Sequence, residues 1–413
     1  MYIKYFRILA KRNFFLLWFG QIISQFGDRL TQIALVGLVS QVSMSSSRLA
    51  FVMSLTIIPV FIVSPISGVY VDRWSKRKTM YVSDLLRGVL ILLIPIFVLK
   101  FQVITPVYLL IFLSFSAGRF FIPAKMSFIP KIAEQKNIFL ANSLVSITAT
   151  IAAVIGVGLG GILVEKYGMA NAFYIDSTTF FLSGIAIFLI SIKEKGDFNP
   201  KDILNVGKDV VGKVKHSFVY ELKEGIRYIF ESDETKYAFK IFLFLFSYIG
   251  GLYVVFIRFI QEILHSITKD LGFTAVCLGA GIFFGSLAYG RIAHKFSIKK
   301  VINLSVLLSS LYIVFFAVFL KAHPFTLLAM TLAFFLGMIV APIFVGINSL
   351  IHQESDTNLL GRIFSGLEFT SHLGFLVSMF VCSFLADIFT PFTIIISIGI
   401  IGFLFALLFN LKK

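Results

Sequence analysis

The stretch Gly68–Lys78, GVYVDRWSKRK, sets one acid and four bases into the seven residues Asp72 to Lys78, between two apolar runs of membrane-spanning length. A charged knot of that size is excluded from hydrocarbon, so it marks a loop in water and its flanks become membrane spans. Composition agrees. Hydrophobic residues make up 58 % of 413 positions and charged residues 14 %, against about 25 % charged in a soluble domain. The formal charge of +16 is spread over short loops between apolar runs, a pattern of membrane topology and not of nucleic-acid binding. Cys277 and Cys382 both lie inside apolar runs, without disulfide or zinc spacing, and read as core residues.

Working outward, runs of about 20 apolar residues recur twelve times, from Phe14–Gln41 and Leu49–Tyr70 at one end to Ile363–Ala386 and Pro391–Leu411 at the other. They are continuous, which excludes the short alternating segments of a barrel. The predicted fold is an all-α membrane protein of twelve transmembrane helices in two six-helix bundles, residues 1–192 and 238–413, joined by a cytoplasmic linker at 193–237. The first run carries Gln21, Gln25 and Asp28 and has no cleavage site, so it is expected to be a retained helix and not a signal peptide. Bases gather at Lys4, Arg7, Lys11 and Arg12, in the Asp72–Lys78 knot, in the linker and at Lys295–Lys300. The alternate loops hold five, Arg48, Lys100, Lys166, Lys269 and Lys321, so both termini are expected in the cytoplasm. In the linker nine bases balance nine acids, and Val214, Phe218, Leu222, Ile226 and Ile229 recur at the spacing of an amphipathic surface helix.

The two halves read as repeats. A shift of 222 residues carries Gly68–Lys78 onto Gly290–Lys300, GRIAHKFSIKK, with His294 in place of Asp72. Parallel repeats of this kind belong to transporters that hold their site at mid-membrane.

Charges inside spans are the candidate functional groups. Asp28 lies about 21 Å along a first helix of about 42 Å, and Arg119 about 18 Å into the fourth, which puts both near mid-membrane. An Asp28–Arg119 pair is therefore expected, one that a proton or substrate can break. Glu368 and His372 are four apart on one face and could relay a proton or bond each other. Arg258 is placed to meet an anionic group or to snorkel outward. Asp84 and Arg87, one turn apart at the inner end of the third run, are expected to pair locally beside the gating loop. Arg29 and Asp176 have no evident partner. Gly156 and Gly160, four apart in the fifth run, are small enough to let another helix approach closely. Aromatic residues reach 16 %, and most must face lipid or helix interfaces, so they say little about the substrate.

Gly68, the Asp72-Arg73 pair and the basic tail resemble the loop between the second and third helices of the major facilitator superfamily, roughly G-x-x-x-D-R-x-G-R-[RK], with Ser75 at the second glycine. Gly27-Asp28, Ile129-Pro130, Ala141-Asn142-Ser143, the Gly156–Gly161 run and Gly361-Arg362 extend the resemblance over nearly the whole chain, nearest to bacterial exporters of the drug:proton antiporter group that includes macrolide-efflux and enterobactin-export proteins. In the antiporter motif of those exporters a proline stands where this chain has Val157. The resemblance implies a bacterial inner-membrane antiporter that exports a small lipophilic or amphipathic compound by alternating access. It implies a cavity lined by the first, fourth, seventh and tenth helices, which Asp28 and Arg119 would face; Arg258, Glu368 and His372 are the further candidates for proton coupling and substrate. Gly68, Asp72, Arg73, Arg77, Lys78, Asp84 and Arg87 would serve the gate, with Arg73 and Arg77 steadying Asp72 against the helix that opens at Gly361-Arg362. The alternatives are export of a siderophore, metal ion or lysolipid, proton-driven uptake, or a sensor that transports nothing. No G-x-x-x-x-G-K-[ST], H-E-x-x-H or G-x-S-x-G occurs, so neither ATP-driven transport nor an enzyme is expected. The expected partners are a small-molecule substrate, protons and membrane lipid, with no cofactor, metal or nucleic acid, for a monomeric protein.

Overall fold

A computed structural model describes residues 8–101, 104–192, 233–292, 296–354 and 360–411. Among these the chain is helical without strands. The first half forms α1 (Arg12–Val42), α2 (Ser46–Ile62), α3 (Ser64–Arg73), α4 (Lys76–Lys100), α5 (Thr105–Ile132), α6 (Ile138–Tyr167) and α7 (Met169–Phe188). The second forms α8 (Asp233–Leu264), α9 (Lys269–Ile292), α10 (Ile298–Ala322), α11 (Thr326–Glu354), α12 (Leu360–Ile388) and α13 (Pro391–Leu411). Nine described helices are long and apolar enough to cross a membrane, ten when α2 and α3 count as one span bent by 51°. The bend falls where Pro65 opens α3, because a proline nitrogen has no hydrogen for the helical ladder. α1 and α7 fall outside that group; α1 carries Gln21, Gln25, Asp28, Arg29 and Gln32, and α7 carries Asn171, Asp176 and Ser/Thr pairs. Residues 193–232 of the linker, with its expected amphipathic helix, and His294 lie outside the described residues.

The chain divides into two compact units, Met1–Leu38 with Val52–Phe218, and Val39–Phe51 with Val219–Lys413. The sequence repeat is visible in both. Helix starts at Ser46, Lys76, Thr105 and Met169 recur at Lys269, Ile298, Thr326 and Pro391, each 221 to 223 residues later. Packing repeats as well: α4 lies against α5 and α7 as α10 lies against α11 and α13. Each unit has its own apolar core, and Met80, Phe121 and Val145 of the first stand 222 positions before Ile302, Ile343 and Leu367 of the second.

The knot that identifies the loop is built locally. Ser75 is the N-cap of α4, its hydroxyl accepting from Lys78 N at 3.3 Å, which gives the serine a reason to stand where a glycine was expected. Trp74, 3 % exposed, seats the turn against Tyr70 and Phe120. Asp72 and Arg73 are exposed. Arg77 does not steady Asp72 as expected: its guanidinium donates to Ile190 O, just beyond the end of α7. No described atom lies within 4 Å of a Cβ placed on Gly68; the opening of the helix expected to approach it lies outside the described residues.

Candidate functional site

The strongest concentration of buried charge lies inside the first unit, where α1, α4, α5 and α7 meet. Asp28 on α1 forms an ion pair with Arg87 on α4, the side chains 19 % and 8 % exposed. This corrects two expectations: Asp28 does not take Arg119, which is half-buried on α5, and Arg87 does not close on Asp84. The reason is reach. Arg87 points across the interhelical space onto the Phe180 ring of α7, 4.0 Å from its centroid, and that brings its fork to α1. Gly118 of α5 leaves room for it; a Cβ there would stand 3.2 Å from the guanidinium carbon.

Asp84 and Asp176 are each 0 % exposed. Asp84 therefore belongs to the buried cluster and not to the loop where the sequence placed it. Its Oδ2 accepts from Ser183 Oγ at 2.6 Å, while Oδ1 has no hydrogen-bond partner. Asp176, isolated in the sequence, accepts from the Thr31 hydroxyl of α1 and from Thr179 Oγ1 at 3.1 Å. Its slot exists because position 27 is glycine: a Cβ there would overlap Asp176 Oδ1 and Thr179 Oγ1. Lys125 of α5, 8 % exposed and within electrostatic reach of Asp84, completes the group. Asp176 interacts in turn with Asp28 and Arg87. Arg29, also without an evident partner in the sequence, donates to Gln32 Oε1 at 2.8 Å.

Lys125 was missed by sequence reading, and the repeat supplies the signal that could have found it. The positions 222 residues after Asp28, Asp84, Arg87, Lys125 and Asp176 are Gly250, Val306, Ser309, Ile347 and Ile398. Val306 and Ile347 are core residues of the second unit. The same helical frame thus closes without these charges, and their presence in one repeat alone is not a requirement of the fold.

The second unit uses its charge differently. Arg258, 1 % exposed, neither snorkels nor faces open space. Its guanidinium donates to Ser43 O and Ser45 O, both at 3.1 Å, and to Ser40 Oγ and Gln261 Oε1, both at 2.9 Å. It holds the turn between α1 and α2, which counts with this unit. Asp387 at the end of α12 caps the same turn, accepting from Ser46 N at 2.6 Å and Ser47 N at 3.0 Å. Ser45 Oγ accepts from Arg48 N at 3.2 Å, so the first three amide hydrogens of α2 are all satisfied. His372 packs beside Phe246, ring centroids 5.7 Å apart. The side chains of Arg362 and Glu368 and the surroundings of Gly361 lie outside what is described, and with them the expected Glu368–His372 contact and the expected seat for Asp72. Among the described residues no group of three His, Cys, Asp or Glu could hold a metal ion.

The expected helix-packing glycines are unequal. A Cβ on Gly156 would lie 2.9 Å from Phe26 O and Arg29 Cβ of α1, whereas one on Gly160 would make ordinary contact with Leu30 at 3.4 Å.

A family model described as "Transmembrane secretion effector" matches residues 4–351. The chain is 26 % identical over 369 residues to the uncharacterized MFS-type transporter YkuC of Bacillus subtilis, covering 87 % of this chain and 82 % of that protein. It is 23 % identical over 358 residues to the multidrug efflux pump Tap of Mycobacterium tuberculosis, covering 84 % of this chain and 81 % of Tap. Among solved structures, a POT family transporter in complex with a thioalcohol-conjugated peptide superposes with a TM-score of 0.71 at 10 % identity over 97 % of this chain and 96 % of that one. A structure of proton dependent oligopeptide transporters superposes with a TM-score of 0.66 at 13 % identity over 96 % and 97 %. At such identity these structures speak for the fold alone.

Proposed function

Because the chain belongs to the transmembrane secretion effector family of the major facilitator superfamily, we propose that it is a proton-coupled antiporter of the bacterial cytoplasmic membrane, with both termini inside, that exports a small lipophilic or amphipathic compound by alternating access. The observation that carries this reading is the one-sided charge cluster. Asp28, Asp84 and Asp176 face Arg87 and Lys125 in a membrane-embedded bundle, and the equivalent positions of the other repeat are uncharged. Buried ion pairs seldom stabilise a fold more than apolar packing does, and charges kept inside a membrane mark ion or substrate pathways. Three carboxyls against two cations leave the linked group one proton short of neutrality. We assign the coupling role to Asp28, the least buried of the three and the one whose charge Arg87 pairs. The relatives named as multidrug efflux pumps support export of drug-like compounds.

The test is accumulation of a fluorescent lipophilic cation in everted vesicles containing the protein, driven by an imposed acid-inside gradient. Accumulation is expected to collapse when a potassium–proton exchanger dissipates the gradient. Accumulation indifferent to the gradient would overturn proton coupling, and absence of flux across a panel of lipophilic compounds would favour the sensor alternative.

A further inference from the structure

We propose that Arg87 is a two-position switch, leaving Asp28 for Asp84 when Asp28 takes a proton; the inference rests on the reading of Asp28 as the coupling carboxylate. The structure shows a contact prepared and left unmade. Asp84 is 0 % exposed and its Oδ1 lacks any donor, while the Nε–H of Arg87 lacks any acceptor. The two residues are three apart on α4, hence neighbours on one helix face, and they interact electrostatically. An unmatched donor and an unmatched acceptor within a turn of each other, both buried, are costly unless a second state joins them.

The surroundings fit a short sideways transfer. The Phe180 ring beneath the guanidinium attracts a cation without demanding one in-plane orientation, so it can hold Arg87 in either position. Gly118 keeps a Cβ out of the guanidinium's space. Ser183 holds Asp84 Oδ2 from α7, which leaves Oδ1 as the carboxylate oxygen without a donor. The other charges facing Asp84 are Lys125 from α5 and Asp28 from α1, and Asp28 is also faced by Asp176 from α7. In the step itself a proton binds the Asp28 carboxylate and its ion pair with Arg87 breaks. Arg87 stays cationic throughout and moves to the Asp84 carboxylate. Loss of the proton from Asp28 reverses the exchange. Asp84 is thus a positioning residue: it gives Arg87 a second partner, so protonation of Asp28 strands no buried cation.

A double-mutant cycle on thermal unfolding of the full-length protein in detergent tests this without reference to transport. Asp28→Asn imitates the protonated carboxyl. Each single variant is expected to fold, since Arg87 retains one acidic partner in either. The double variant Asp28→Asn/Asp84→Asn is expected to fall below the sum of the singles by about 5 °C or more, or to fail to fold at all. Asp84→Glu, which keeps the acceptor, is expected to protect the Asp28→Asn background. Additive losses, or an Asp28→Asn protein that does not fold while Asp84 is intact, would overturn the switch. If Asp84→Asn alone fails to fold, Asp84→Ser, which leaves Ser183 a hydroxyl partner, takes its place in the cycle. Full proton coupling in Asp28→Asn vesicles would instead overturn the coupling role of Asp28, so the two readings fail separately.

Discussion

Replacing Gly27 by alanine tests the architecture of the charge cluster more sharply than removing a charge. The added methyl would overlap Asp176 Oδ1 and Thr179 Oγ1 and stand 3.1 Å from Asp176 Cγ. Those atoms cannot simply swing away, because Thr31 and Thr179 both bond the carboxyl and the whole site is buried. Overpacking costs about 1 to 3 kcal/mol, and breaking one hydrogen bond to a buried charged group about 1.5 to 3 kcal/mol. Against these stands a gain of up to about 1 kcal/mol for alanine over glycine in a helix. The net is a loss of about 3 kcal/mol, or roughly 6 to 12 °C in the unfolding midpoint of a unit of this size. Gly160→Ala supplies the control, since its methyl meets Leu30 at an ordinary 3.4 Å and should be neutral or stabilising by up to about 1 kcal/mol. The assay is thermal unfolding of each variant in one detergent. A Gly27→Ala protein as stable as wild type, or a Gly160→Ala protein as damaged as Gly27→Ala, would show that Asp176 does not depend on the slot left by Gly27.

Three further outcomes are expected. Arg87→Ala leaves Asp28 without its cation and should cost about 3 to 5 kcal/mol in the same assay; a loss below about 1 kcal/mol would mean the pair is solvated. The double variant Asp84→Val/Lys125→Ile copies the apolar residues of the second repeat, Val306 and Ile347. It should be neutral or more stable by up to about 4 kcal/mol while the pH dependence of vesicle transport changes. Strong destabilisation would make those charges structural. Asp387→Ala removes the acceptor for Ser46 N and Ser47 N at the start of α2 and should lower stability by about 1 to 2 kcal/mol, whereas an unchanged midpoint would show that water replaces the cap.

The sequence made the helices and the repeat legible because hydrocarbon permits little else: a long apolar run must be a helix, and a charged knot such as Asp72–Lys78 must be a loop. The shift of 222 read from one loop holds to within a residue at four helix starts, from Ser46 and Lys269 to Met169 and Pro391. Partner choice was less legible. Depth along a helix placed Asp28 and Arg119 at one level, but level says nothing of azimuth, and Arg87 reaches α1 by crossing the Phe180 ring. Asp84 and Arg87 share a helix face as spacing requires, yet in this state the cross-helix partner wins. Arg258 reads as a ligand group because it is a lone cation in an apolar run, whereas it is held by Ser40, Gln261 and two main-chain carbonyls, and the carbonyls carry no sequence signal. Gly27 was noted only as half of a motif, and its reason became visible with Asp176 in the slot it leaves.

The coupling role proposed for Asp28 is read out in proteoliposomes containing Asp28→Asn. With a lipophilic substrate and an internal pH indicator, the variant should show substrate counterflow without any substrate-dependent proton movement. Proton movement equal to that of the wild type would contradict it.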